Sequence, residues 1–172
     1  KFCTFCVVPF TRGRERSRPL ARVVDEARAL WDQGFKEITL LGQNVNSYRD
    51  EVGGYDFADL LASTARAVPQ MRIRYTTSHP QDMSDKLIET MAAHDNICKY
   101  IHLPVQSGSN RILELMNRTY TVEHYMERIR KIRELMPGCA LSTDIIVGFC
   151  TETEEDHERT MQSMREVGYD GA

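Results

Sequence analysis

Two cysteines stand close together near the start of the chain, Cys3 and Cys6, with Phe5 just before the second, in KFCTFCVVPFTRGRERSRP. Thiolates at CxxC spacing ligate metals or form a redox pair. Alone, CTFC fits zinc, thiol redox chemistry, an iron–sulfur cluster, or no chemistry at all. A zinc site needs a second CxxC or a pair of histidines, and the next cysteine, Cys98, has no neighbouring partner. A thioredoxin-like motif would follow a strand and open a helix, whereas VVPF and a polar run follow here. Behind the cysteines, Thr11–Arg18 carries Arg12, Arg14, Arg16 and Arg18 against a single acid, Glu15. Spaced two apart, the arginines would share a face if extended. Arginine pairs bidentately with phosphate and stacks on bases; the other reading is a solvated loop.

Such groups need a frame, and apolar periodicity supplies one. Leu20, Val23, Val24, Ala27, Leu30 and Trp31 recur at helical spacing, with Pro19 before and Gly34 after. KEITLL (36–41) and MRIRYT (71–76) read as strands, separated by a helical stripe from Phe57 to Val68 that Pro69 ends. A third helix runs from Ser84 to His94, and KYIHLPV (99–105) reads as a strand. Ser109 and Thr121 are placed to cap the next two helices, ALSTDIIV (140–147) reads as a strand, and Thr151 with Glu154 suggests a capping box for the last helix. Strand–helix alternation throughout predicts an α/β fold, a partial (βα) barrel with parallel strands and about five or six βα units, open on one side. Ligands of such folds sit at the carboxyl ends of the strands. There the chain carries GQNVNSY, TSHPQD, PVQSGSN and GFCTET, all polar, glycine-containing or both.

Composition narrows the class. The 172 residues are 41% apolar and 27% charged, with a net charge of −3, so contact with nucleic acid must come from a local patch. No apolar run approaches the roughly 18 residues of a membrane span, and a cytoplasmic location is expected. The cysteines, Cys3, Cys6, Cys98, Cys139 and Cys150, are odd in number, which argues against a disulfide framework and for a reducing compartment.

CTFCVVPFTRGRERSRP resembles the cluster loop of radical S-adenosylmethionine enzymes, specifically the methylthiotransferase family. That family has CxxxCxxC with an aromatic residue before the last cysteine, then V-V/I-P-Y/F-x-R-G and S-R-P. Cys3, Phe5, Cys6, Val7, Val8, Pro9, Phe10, Arg12, Gly13, Ser17, Arg18 and Pro19 match as they stand. The first cysteine of the motif would precede Lys1, so the chain is expected to be a radical SAM core, residues 1–172, truncated at its N-terminus. GQNVNSY, TSHP, HLPVQSGSNRILELMNR (102–118) and STDIIVGFCTETEEDH (142–157) continue the resemblance in order, with Cys150 where proline is common. TRGRERSRP and GQNVNSY are similar to the branch acting on dimethylallyl-adenosine in tRNA. The ribosomal-protein branch carries a different tail after GQ.

The resemblance implies a 4Fe-4S cluster ligated by Cys3, Cys6 and a third cysteine before Lys1. It implies S-adenosylmethionine on the open iron, reductive cleavage to a deoxyadenosyl radical, and methylthiolation at C2 of the adenine. It also implies a second 4Fe-4S cluster on an N-terminal domain, a C-terminal RNA-binding domain, a flavodoxin- or ferredoxin-type electron donor, and a tRNA anticodon stem-loop as partner. Phe5 would flank the cofactor's adenine, or face the core. Gln43 and Asn44 would meet its ammonium or carboxylate, or form a turn. Gln106 and Ser107 form a polar turn at the rim or a helix-capping loop. Ser142 and Asp144 alternate on one strand and need partners such as ribose hydroxyls or an ammonium. Arg12, Arg14, Arg16 and Arg18 would bind RNA. His79 and His102 read as structural, and Cys98, Cys139 and Cys150 as small apolar residues. Without a third thiolate the cysteine loop is expected to be loose and the isolated chain inactive, and a missing first strand would expose a sheet edge. Two rival readings are the ribosomal-protein methylthiotransferase and a non-enzymatic CxxC module binding metal or RNA.

Overall fold

The computed structural model describes residues 2–13 and 15–172; Arg14 lies outside them. In chain order the elements are α1 (Val8–Arg12), α2 (Leu20–Asp32), β1 (Glu37–Leu41), β2 (Arg49–Asp50), β3 (Tyr55–Asp56), α3 (Phe57–Ala67), β4 (Arg72–Thr76), α4 (Asp85–Ala93), β5 (Tyr100–His102), α5 (Asn110–Leu115), α6 (Val122–Leu135), β6 (Ala140–Ser142) and α7 (Glu154–Val167). β1 pairs in parallel with β4, and β5 with β6. A parallel bridge from Ile73 to Ile97 joins the two pairs, and one from Ser142 to Gly171 begins the next position. The strands thus neighbour one another in chain order, each returning through a helix, as right-handed βα crossovers require. Four complete βα units are present among the described residues, fewer than the five or six expected.

The core lies between the sheet and its helices. Ile73 of β4, Ile101 of β5 and Leu141 of β6 meet Leu61 of α3, Ile88 of α4 and Ile132 of α6, all essentially solvent-free. Each such side chain contributes about 1.5–3 kcal/mol by leaving water. Helix starts follow local chemistry. Asp56 and Asp59 form a capping box on α3, and the Ser84 and Thr121 hydroxyls accept from Leu87 and His124 N–H on α4 and α6.

Several local expectations are corrected. VVPF is not loop: α1 follows the cysteines directly, with Pro9 in its first turn, where a missing N–H costs nothing. An antiparallel hairpin, β2–β3, interrupts the alternation after β1. The ALSTDIIV strand stops at Ser142. The box on α7 is Thr153 with Asp156, two residues later than predicted, because Thr151 takes a left-handed φ of 67° in the preceding turn. Ser109 stands at the N-cap of α5 without capping it; its hydroxyl donates to Asp156 at 2.6 Å instead.

Candidate functional site

The cysteine loop is a tight turn. Cys6 N–H donates to Cys3 O at 3.1 Å, leaving both thiols half-buried. Far from being loose, the turn is tied to the segment just past α5. Thr4 N–H reaches Met116 O at 3.1 Å, Thr4 Oγ1 reaches Leu115 O at 3.0 Å, and Asn117 Nδ2 reaches Phe2 O at 2.6 Å. α5 ends in a Schellman turn. Asn117 sits at φ 55°, Arg118 N–H bonds Leu113 O at 2.8 Å, and Asn117 N–H bonds Glu114 O at 2.9 Å. That turn aims Arg118 back at the cysteines, and its Nη1 donates to Cys3 Sγ at 3.3 Å. Arg118 Nη2 holds Pro104 O at 3.0 Å, just beyond the carboxyl end of β5. The cysteines therefore lie at the edge of the parallel sheet where ligands of such folds sit.

Other residues singled out from the sequence share that edge. On β5 and β6, Ser142 Oγ lies 2.9 Å from His102 Nδ1 and 2.7 Å from Tyr100 Oη, while His102 Nε2 lies 3.3 Å from Asp144. Ser142 and Asp144 do share a face, with His102 linking them and Asp144 left largely exposed. Gln106 takes a left-handed φ of 73° and forms a parallel bridge with Ile145. A non-glycine residue there stores about 1–3 kcal/mol of strain, tolerated where the surroundings enforce it. Ser107 is fully buried, 3.3 Å from Thr160 Oγ1 of α7 and accepting from Ser109 N–H, so its hydroxyl is spent inside the fold. Phe5 is exposed. Gln43 is exposed too, whereas Asn44 donates to Asp82 at 2.9 Å and leaves its Oδ1 buried without a partner.

The arginine segment does not form one extended face. Arg12 ends α1, and Arg16 and Arg18 lie in irregular chain. Arg18 is paired with Glu26 at 2.5 Å; Arg14 falls outside the described residues. The segment is pinned to the loop after β1. Ser47 Oγ donates to Glu15 at 3.0 Å, Arg49 N–H to Ser17 Oγ at 3.1 Å, Tyr48 Oη to Arg18 O at 2.7 Å, and Leu20 N–H to Asp50 at 2.9 Å. Burial, with Asp50 nearby, pushes Tyr48 up to about 12, so it stays a donor. A cavity of about 540 Å³ opens between this segment, α2 and β1, with Arg12, Arg16, Gln43 and Asn44 on its wall. The two stretches that most set the sequence apart are thus one structural unit.

The remaining cysteines divide. Cys139 is buried, and burial pushes its thiol up to about 11; Cys98 is half-buried. Cys150 is exposed, against the expectation of a small buried residue. Sequence reasoning passed over Thr4, Asn117 and Arg118, which seat the cysteine turn. An asparagine just past a helix is the one signal that points to the turn they form.

A family model for the radical SAM superfamily matches residues 1–164. The chain is 59% identical to the tRNA-2-methylthio-N(6)-dimethylallyladenosine synthase of Parabacteroides distasonis over 99% of its own length and 38% of that protein. It is likewise 59% identical to the protein of that name from Chlorobium phaeobacteroides, over 98% of the chain and 38% of the relative. The chain thus spans well under half of these relatives. Among solved structures, the cobalamin-dependent S-adenosylmethionine radical enzyme OxsB superposes with a TM-score of 0.73 at 14% identity, over 94% of this chain and 24% of that one. SuiB of Streptococcus suis, bound to S-adenosylmethionine, gives 0.64 at 17% identity, over 98% of this chain and 34% of that one. The fold is shared with both, and the chain belongs to the radical SAM superfamily.

Proposed function

We propose that this chain is the catalytic core of a tRNA methylthiotransferase that modifies C2 of dimethylallyl-adenosine beside the anticodon. The observation that carries the reading is the CxxC turn seated at the carboxyl edge of a parallel sheet, with an arginine segment fixed beside it. Cys3 and Cys6 would hold a 4Fe-4S cluster together with a third thiolate. Among the described residues no three metal-ligating side chains converge, so the two thiols are a partial set. The guanidinium aimed at Cys3 Sγ fits sulfur that carries negative charge. Held by Cys3, Cys6 and a third thiolate, such a cluster would supply the electron for cleavage of S-adenosylmethionine.

This chain's own residues then bind and orient. Asp144, exposed and held beside His102, is a ready partner for an ammonium or a ribose hydroxyl, and Ser142 stands one pleat behind it. Gln43 and Asn44 offer uncharged donors and acceptors, Asn44 with an Oδ1 free. Gln106 lies on the same edge, with Ser107 supporting its turn from beneath. Exposed Phe5 can stack on a purine. Arg12, Arg14, Arg16 and Arg18 would take the phosphates of the anticodon stem-loop, with Arg18 exchanging Glu26 for RNA. In this reading residues 1–172 are the radical SAM domain of a longer cytoplasmic protein. A second cluster lies on an N-terminal domain, RNA binding is completed by a C-terminal one, and a flavodoxin- or ferredoxin-type protein donates electrons.

The test uses the full-length protein, reconstituted anaerobically with iron and sulfide and supplied with S-adenosylmethionine and dithionite. 5′-Deoxyadenosine is expected, with none from Cys3→Ala. Methylthiolation of dimethylallyl-modified tRNA then identifies the substrate. Zinc in place of iron, with no product, would sink the reading. Modification of a ribosomal protein instead would redirect it to that branch.

A further inference from the structure

Arg118 is half-buried, and among the described residues no carboxylate pairs with it. A guanidinium is always charged, and withdrawing it from water without a counter-charge is costly. Yet its position is over-determined. Nε donates to Tyr120 Oη at 3.0 Å, Nη2 to Pro104 O at 3.0 Å, and its carbon lies 5.1 Å from the Tyr120 ring centroid. Burial pushes Tyr120 up to about 12, and its hydroxyl donates to Val105 O at 2.9 Å, so that support is fixed and neutral. The Schellman turn at Asn117 fixes the backbone behind it. What remains is Nη1, and it points at Cys3 Sγ. The site is built for an anion at that sulfur.

We propose that Arg118 is a positioning residue that donates a charge-assisted hydrogen bond to the cluster-ligating sulfur of Cys3 and raises the cluster's reduction potential. The inference rests on the reading that Cys3 ligates a 4Fe-4S cluster. Hydrogen bonds to ligand sulfur and nearby positive charge stabilise the reduced, more negative cluster. The same bond couples the cysteine turn to the loop after β5, because one guanidinium holds both Cys3 and Pro104.

The full-length protein is produced with ¹⁵N-guanidino arginine, loaded with iron and sulfide, and reduced. Hyperfine spectroscopy of the reduced cluster should show coupling to a ¹⁵N nucleus, and the coupling should vanish in Arg118→Lys. The midpoint potential of Arg118→Gln should lie more negative than that of the unsubstituted protein at equal iron content. A fully loaded cluster without ¹⁵N coupling overturns the inference and leaves the function reading standing. A protein that takes up no iron defeats that reading, and this inference with it. If a variant fails to fold, the coupling in the unsubstituted labelled protein decides.

Discussion

Cys139 and Cys150 carry the same thiol in opposite surroundings. Cys139 is buried, with its thiol pushed up to about 11, while Cys150 stands exposed in the loop before α7. Only the thiolate alkylates at useful rates. In the folded chain iodoacetamide should therefore modify Cys150 readily and Cys139 only after unfolding, as peptide mapping would show; equal labelling would contradict the burial. Sequence treats both as small apolar residues, because composition cannot tell which side of a loop a thiol takes. Asn117 makes a second case. Its left-handed φ of 55° is tolerated by asparagine and open to glycine. Asn117→Val should cost about 1–2 kcal/mol in urea unfolding, while Asn117→Gly should cost less. The Val variant should also retain less iron once loaded, since Arg118 loses its aim.

At the scale of elements, α7 is docked by a network that no local window reveals. Asp156 completes the capping box with Thr153, accepts from Ser109 at 2.6 Å and pairs with Arg111. The Arg111 guanidinium, then the hydroxyls of Ser109 and Thr153, hold its carboxyl far below the usual carboxylate range. Its contribution is therefore fully present above about pH 4, the unfolded value, and is lost as pH falls toward the lowered folded one. Asp156→Asn should be less stable at neutral pH and should lose part of the acid-limb slope in urea melts across pH 2–5; an unchanged slope would refute the assignment. The misplaced cap has the same origin. TETEED offers two overlapping capping boxes, and the choice is made by Arg111 and Ser109, more than forty residues away. Gly108 reports the same interface. A Cβ there would lie 2.6 Å from both Arg159 O and Thr160 Cα. Gly108→Ala should destabilise by about 1–3 kcal/mol, a fall of roughly 2–4 °C per kcal/mol in a domain of this size.

Over the whole molecule, the order of strands and helices was legible because apolar period changes from 3.6 to 2 at each junction. Strand ends were less so. In 140–147 the apolar residues Ile145, Ile146 and Val147 still follow Ser142, but Thr143 turns its hydroxyl to Leu103 O and the pairing shifts to Gln106 with Ile145. The union of the arginine segment with the loop after β1 was also hidden, since backbone groups and short polar side chains make it. Among the described residues β1 pairs only with β4, which leaves its other edge unpaired. Lys36 O accepts from Arg72 N–H, and Gly42 bonds both Thr76 and Thr77. In a parallel pair each residue directs both backbone groups to one side, so Glu37, Thr39 and Leu41 present theirs to the free edge. Leu41 is 76% exposed. An unpaired edge with an exposed apolar end invites strand addition. The 172-residue chain should self-associate in sedimentation runs as its concentration rises. Thr39→Pro removes an edge N–H that bonds nothing in β4 and blocks an incoming strand, so it should return the chain to monomer with the helical circular dichroism unchanged. Leu41→Lys should weaken the same association through charge. Association that survives both substitutions would mean that the chain pairs through another face.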